Sequence, residues 1–308
     1  MLEDRYINLA HGNGGRYMRE LIEEIFARHL GNPQLDTRED SAAIPFEGDG
    51  TPFMTTDGFI VQPLEFPGGS IGSLAVHGTV NDLAVCGVEP RFLSLNAFIE
   101  EGLEIEVLDR VVADLARAAE NAGVAVVAGD TKVLPRGEGG GLYLATTGVG
   151  LRPRGCDYAF DHIRPGDKVL VSGPIGDHGT CVMLARGEFD ISGEVRSDSG
   201  SVLPLTRAAR EIGEVRFMRD PTRGGLTSVA HEIATVIGCN VRLRESDIPV
   251  RDPVQMICEM LGYDPYYLAC EGRVVAVVAP EKADALLQAW QTLDEGQDAA
   301  IIGTIEQG

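Results

Sequence analysis

The stretch "VAGDTKVLP", residues 127–135, carries the decision between two readings of the chain. An apolar run of strand character meets Gly129, and an anion, a hydroxyl and a cation follow at once as Asp130, Thr131 and Lys132. On these residues alone a β-turn explains the segment better, because Gly supplies unusual backbone angles and Asp bonds its own backbone. The competing reading is a core strand that delivers polar groups to a site. The rest of the chain has to decide between them.

Working outward, the residues on either side alternate strand and helix patterns. "TPFMTTDGFIV" reads as a strand. "GGSIGSLAVHGTVNDLAVCG" reads as a tightly packed helix carrying Asn81 and Asp82, and "PRFLSLNAFIE" as a strand. "EIEVLDRVVADLARAAENAG" has the 3.6-residue apolar period of a helix and closes on Gly123. "VAVVAG" and "GGLYLATTGVGL" are further strands. Upstream, "LAHGNGGRYMRELIEEIFARHL" is a Gly-rich loop feeding an amphipathic helix through Met18, Leu21, Ile22, Ile25 and Phe26.

Near residue 155 the pattern restarts. "RPGDKVLVSGPIGDHG" predicts a strand, a Gly-rich turn and a helix start. "RSDSGSVLPLTRAAREIG" and "GGLTSVAHEIATVIG" are predicted helices. "NVRLRESDIPV" and "RVVAVVAPEKADALLQAWQTL" add strands and a last helix, and "AAIIGTIEQG" closes with a strand. The expectation is a Gly-rich loop and helix over 1–38, an N-terminal α+β domain over 39–155 and a C-terminal α/β domain over 156–308.

Composition bounds the function. The 308 residues carry 26 Lys and Arg against 47 Asp and Glu, a formal charge of −21. Nucleic acid and anionic membrane are poor partners for such a surface. Six cysteines, Cys86, Cys156, Cys181, Cys239, Cys258 and Cys270, form no C-x-x-C pair, so small core residues of a reduced protein are expected. The first residues, "MLEDRYINLA", lack signal-peptide character, and no apolar run is long enough to span a bilayer. A cytoplasmic protein is the expectation.

Five acidic segments stand out, centred on Asp40, Asp57, Asp82, Asp130 and Asp220. Each taken singly is better explained as a cap or a turn. Four of the five follow or interrupt apolar runs, where an unpaired anion is costly. Carboxylates from separate segments suit Mg²⁺, a hard cation that shares oxygen ligands with substrate phosphates. "HGNGG" (11–15) and "SGPIGDHG" (172–179) offer backbone N–H groups that could cradle phosphate, with flexible surface loops as the plainer account. "RDPTRGG" (219–225) places Arg223 just before a helix, where Arg can hold phosphate or carboxylate bidentately, and a surface helix start explains the segment about as well. Lys132 and Glu271 each adjoin an apolar run, so partial desolvation is expected of both, with a structural ion pair as the plainer account.

The ordered set "LAHGNGG", "TTDGFIVQPLEFPGG", "GTVNDLAVCGVEPRFLS", "AGDTKV", "VSGPIGDHG", "RDPTRGG" and "ACEG" resembles the HypE family of hydrogenase maturation factors. That family belongs to the superfamily of aminoimidazole ribonucleotide synthetase, selenophosphate synthetase and thiamine-monophosphate kinase. The resemblance implies two domains, with the N-terminal one pairing in a homodimer so that strands of both subunits make a β-barrel flanked by helices. It implies ATP with Mg²⁺ as cofactor. Asp40, Asp57, Asp82 and Asp220 would be metal ligands. His11, Gly12, Asn13, Gly14 and Gly15 would form a mobile phosphate flap, with Asn81, Gly129, Asp130, Thr131 and Arg223 touching nucleotide.

The implied reaction is dehydration of a carbamoyl group on a C-terminal cysteine thiol to a thiocyanate, with Lys132 and Glu271 as bases. HypF-type carbamoyltransferase and the HypC–HypD complex are the implied partners. The family pattern ends Pro-Arg-Ile-Cys, whereas this chain reads "IIGTIEQG" with no cysteine after Cys270. No residue here is therefore assigned as acceptor thiol, and a tail beyond Gly308 is expected. Another ATP-using member of the superfamily, or a non-catalytic nucleotide-binding scaffold, remains open at the level of sequence. Selenophosphate chemistry is disfavoured because the first Gly-rich loop holds neither Cys nor Lys.

Overall fold

A computed structural model describes residues 4–13, 15–37, 41–42, 44–45, 47–187 and 193–308. The chain divides into two compact units: Met1–Leu83 with Glu89–Leu151, and Ala84–Val88 with Arg152–Gly308.

The first unit is built on a four-stranded sheet in the order β1 (Gly50–Phe59), β6 (Leu142–Pro153), β4 (Glu89–Glu100), β5 (Ala125–Leu134). β4 pairs antiparallel with β6 and parallel with β5, from Phe92↔Ala125 to Glu100↔Leu134. A short hairpin, β2 (Glu65–Phe66) with β3 (Gly69–Ser70), precedes α3 (Ile71–Val85).

α3 is nearly all apolar or small, as expected of a helix buried all round. A Cβ built at Gly72 would lie 2.2 Å from the Val111 carbonyl oxygen on α4 (Ile105–Ala122). Only glycine allows these two helices to approach so closely. α4 buries Leu108, Val111, Val112 and Leu115, and it ends where Gly123 turns left-handed at φ 68°. Earlier in the chain, α1 (Gly15–Leu21) continues through a wide π turn over Ile22–Ala27 into α2 (Arg28–Leu30). Leu21, Ile25, Phe26 and Leu30 are buried there.

β5 decides the opening question. It does not stop at Gly129: Asp130, Thr131 and Lys132 lie within the strand, so the turn expected from the local sequence is absent. The long partner β4 supplies ladder bonds out to Leu134, and that pairing outweighs the local turn preference. Successive side chains then point to opposite faces of the pleat. Asp130 and Lys132 share one face and pair at 2.7 Å, while Thr131 is buried on the other.

The second unit has a five-stranded sheet, β8 (Val215–Arg219), β10 (Val275–Val278), β7 (Lys168–Val171), β11 (Ala300–Glu306), β9 (Asn240–Leu243), antiparallel at every pairing. Val169, Val171, Val275, Val277 and Ile302 are core residues on its strands. Helices α5 (Asp177–Ala185), α6 (Leu203–Ile212), α7 (Gly225–Ile237), α8 (Asp252–Leu261) and α9 (Ala283–Gln291) complete it. The sequence pattern did not disclose β8 or α8. β8 is five residues with two arginines, and α8 opens on Asp-Pro, a pair that also signals a turn.

Trp290 on α9 is fully buried, and its indole N–H donates to the Leu205 carbonyl on α6 at 2.9 Å. Trp290→Ala should therefore cost about 3–5 kcal/mol of stability, read from the urea unfolding midpoint of the intact chain. A loss below about 1 kcal/mol would show that α6 and α9 do not depend on this anchor.

Candidate functional site

Two sets of chemistry-bearing groups are assembled, one in each unit. In the first unit, Asn8 caps a 3-10 turn over Leu9–Gly12, and the backbone N–H of Asn8 donates to His11 Nδ1 at 3.1 Å. His11 is fully buried, with its Nε2 3.6 Å from Asp4. A Cβ at Gly12 would lie 2.7 Å from Val133 Cβ, so the Gly-rich loop rests directly on the polar end of β5. His11 is thus a packed part of this turn rather than a loose loop residue. Asn13 forms the end of the turn and Gly15, at φ 74°, opens α1. Gly14 and Asp40 lie outside the described residues.

A cleft runs between the N-terminal helical segment and β5. Its lining is mixed: Met18, Ile22, Phe26 and Leu95 are apolar, and Asp36, Thr37, Ser41, Asp130 and Thr131 are polar. A Cβ at Gly129 would lie 2.7 Å from the Leu95 carbonyl, so a side chain at 129 could not be accommodated without separating β4 from β5. A concave site that combines apolar side chains with several polar groups suits a small ligand with both kinds of surface. Lys132 is 57% exposed and held by Asp130, which corrects the expectation of a desolvated lysine. A position facing out from an edge strand remains in water. The same hydrogen bond from Lys132 holds the Asp130 carboxyl below its ordinary pKa.

The β1–α3 seam holds two more of the acidic groups. Thr55 Oγ1 on β1 donates to Asp82 Oδ2 on α3 at 3.1 Å. Asp57 lies two residues along β1, on the same face as Thr55. The position a Cβ would take at Gly78, one turn before Asp82, is 3.9 Å from Asp57 Oδ2. Asn81 is buried next to Asp82. Among the described residues no three His, Cys, Asp or Glu groups form a ready-made metal cage. Two hard carboxylates without a full cage fit Mg²⁺, which commonly takes one or two carboxylates and completes its shell with phosphate and water.

In the second unit, three motifs far apart in sequence meet at one turn, 269–273. The Cys270 N–H donates to the Pro221 carbonyl of "RDPTRGG" at 3.0 Å. The Gly179 N–H donates to the Ala269 carbonyl at 3.0 Å, and the Gly176 N–H reaches Cys270 Sγ at 3.3 Å, both from "SGPIGDHG". Asp220 is buried beside Pro221, whereas Arg223 is exposed. Glu271 is half-buried at the centre of this turn.

The sequence reading overlooked the loop that holds this turn from the other side. Asp198 and Ser197 are separated from Glu271 by more than seventy positions, and "RSDSG" looks like an ordinary polar loop. Asp177, buried at the start of α5, pairs with Arg251 at 2.9 Å and Arg273 at 3.7 Å. Desolvation raises its pKa, partly offset by the Arg251 hydrogen bond. Asp177, Ser197, Asp198, Arg251 and Arg273 line a second cleft.

Models of the AIR synthase related proteins match both parts of the chain, the N-terminal domain over residues 38–152 and the C-terminal domain over 164–308. "Carbamoyl dehydratase HypE" of Azotobacter vinelandii is 45% identical over 305 residues, 99% of this chain and 89% of that protein. The protein of the same name from Escherichia coli K12 is 41% identical, over 97% of this chain and 90% of that one. A crystal structure of the hydrogenase maturation protein HypE in complex with ATP superposes with a TM-score of 0.93 at 41% identity, covering 97% of this chain and 89% of that one. A HypE–HypF complex gives 0.82 at 40% identity, covering 94% and 93%. With both domain models matched in order and with identity above 40% along almost its whole length, the chain belongs to the HypE carbamoyl dehydratases of the AIR synthase related family.

Proposed function

We propose that this chain dehydrates an S-carbamoyl cysteine to a thiocyanate at the expense of ATP, supplying the cyanide ligand for [NiFe]-hydrogenase iron assembly. The observation that carries the reading is the 45% identity to a carbamoyl dehydratase across 99% of the chain. The cleft beside β5 and the Gly-rich loop packed against Val133 support it, since they set a concave site of mixed polarity next to a small-residue turn.

An amide oxygen is a poor leaving group. Transfer of the ATP γ-phosphoryl to that oxygen makes it a good one, and loss of two N–H protons with departure of phosphate leaves the C≡N bond. When bound, Mg²⁺ neutralises charge building on the transferring phosphoryl. Asp57 and Asp82 are its assigned ligands in the first unit, with Asp40 and Asp220 as further candidates. His11 to Gly15 and Arg223 are assigned to phosphate, and Asn81, Gly129, Asp130 and Thr131 to nucleotide. Gly129 admits the Leu95 carbonyl of β4, and Gly129, Asp130 and Thr131 all line the cleft. Lys132 and Glu271 are each assigned a proton-handling role. Lys132 must first release Asp130, so its pairing partner sets its availability.

We assign nucleotide binding and dimerisation to 39–155, the first Gly-rich loop and helix to 1–38 and the α/β domain to 156–308. Within one chain the sheet is open, and its edge strand β1 exposes Met54 at 72% and, just after the strand, Ile60 at 71%. A free edge with exposed apolar groups suits pairing with a second copy, which would close the implied β-barrel. HypF-type carbamoyltransferase is the assigned donor of the carbamoyl group, on the ground that a relative is known in a HypE–HypF complex. The HypC–HypD complex is the assigned acceptor. No helix among the described residues is long and apolar enough to cross a membrane, in keeping with an assigned cytoplasmic setting.

Three measurements test this. Asp82→Asn and Asp220→Asn should each weaken Mg²⁺-dependent ATP binding by about tenfold or more, roughly 1.4 kcal/mol, by calorimetry with unchanged circular dichroism. Unchanged affinity in both removes these carboxylates from the metal site. Lys132→Ala should retain ATP binding yet lose the one-water mass decrease on an S-carbamoyl peptide ending Pro-Arg-Ile-Cys; normal nitrile formation takes Lys132 out of the mechanism. Met54→Asp combined with Ile60→Asp should sediment as a monomer where the parent is dimeric, and an unchanged mass would reject β1 as the pairing edge.

A further inference from the structure

Asp198 has the features of a group placed to hold another. Its side chain is fully buried. Both carboxylate oxygens accept from the Glu271 N–H at 3.2 Å, and Oδ2 also accepts from the Gly272 N–H at 3.2 Å. A buried anion with such donors is satisfied, but it would be costly without them. Arg273 Nε lies 3.5 Å from the same carboxylate and donates to the Pro174 carbonyl at 2.9 Å, while its Nη1 reaches the Glu295 carbonyl at 3.2 Å.

The backbone closes around the same contact. The Gly200 N–H donates to the Glu271 carbonyl at 3.3 Å, so the 197–200 loop holds residue 271 through both its N–H and its C=O. A Cβ at Gly272 would stand 2.0 Å from the Asp198 carbonyl oxygen. Nothing larger than glycine admits this approach. Ser197, the neighbour of Asp198, accepts from the Ser199 N–H at 3.0 Å and is hydrogen-bonded to His178 Nδ1 at 2.8 Å. The loop is therefore tied to α5 at one end and to the Glu271 turn at the other.

We propose that Asp198 is a positioning residue for Glu271, fixing the backbone of the 271–272 turn so that the Glu271 side chain is presented in one direction. This rests on the assignment of Glu271 as a base in the dehydration. The buried carboxylate is the polar equivalent of a rivet: it takes two consecutive N–H groups, and Arg273 balances its charge. Asn at this position keeps the shape but replaces one acceptor oxygen by a donor, which would face an N–H instead of receiving it.

The test uses the intact chain with Mg²⁺, ATP and an S-carbamoyl peptide ending Pro-Arg-Ile-Cys. Asp198→Asn should lower kcat on the order of tenfold with KM for ATP unchanged. It should also speed hydrogen exchange at the Glu271 and Gly272 amides. In a Glu271→Gln background the same substitution should cost nothing further, because a residue acting through Glu271 has nothing left to position. Asp198→Glu, which keeps the anionic acceptor, should recover part of the loss and supplies the measurement should the Asn variant fail to fold. Unchanged amide exchange, or a kcat effect of the same size in both backgrounds, overturns the proposal while leaving Glu271 as base. A fully active Glu271→Gln single variant overturns both.

Discussion

The parallel ladder between β4 and β5 is the constraint on which the first unit depends. β4 is hydrogen-bonded on both sides, so β5 is carried along it to Leu134 whatever the local preference of its residues. That extension converts "GDTK" from a turn into an exposed strand end. It places Thr131 inward and the Asp130–Lys132 pair outward, and it gives the Gly-rich loop a rigid rail at Val133. Polar groups on regular strands are held more precisely than groups on loops, which is what a nucleotide or metal site needs.

The second unit solves the corresponding problem differently. Its antiparallel sheet ends in connections, and the chemistry-bearing residues sit on those connections rather than on strands. The 269–273 turn is held by donors and acceptors from residues 176–179, 198–200 and 221. Glycine is required where backbones meet, as at Gly272 and also at Gly225, whose Cβ would stand 2.5 Å from the Tyr266 carbonyl at φ 60°. Irregular segments become rigid here through hydrogen bonds to buried polar groups rather than through secondary structure.

Much of this could be read in the chain itself. α4 announced itself through period and its Gly123 cap, and α3 through small and apolar residues at helical spacing. Asp57 and Asp82 could be picked out as acidic groups next to apolar segments, and the structure brings both to the β1–α3 seam. The strand nature of 130–134 could not be read, because it is imposed by pairing with residues thirty-odd positions earlier. Asp198 was hidden for a similar reason. A short polar loop acquires meaning only when the partner more than seventy residues on is packed against it. Exposure was misjudged at Lys132, since neighbours in sequence do not tell which face of an edge strand meets water.

Burial also governs thiol chemistry in the second unit. Desolvation pushes the thiols of Cys181 and Cys258 up, and that of fully enclosed Cys270 well above its ordinary range. Thiolate, not thiol, is the nucleophile. A protein whose proposed task is to handle a sulfur-bound carbonyl electrophile therefore keeps three of its own sulfurs in their unreactive form. Self-acylation and disulfide exchange at these positions are suppressed by the packing of the core itself.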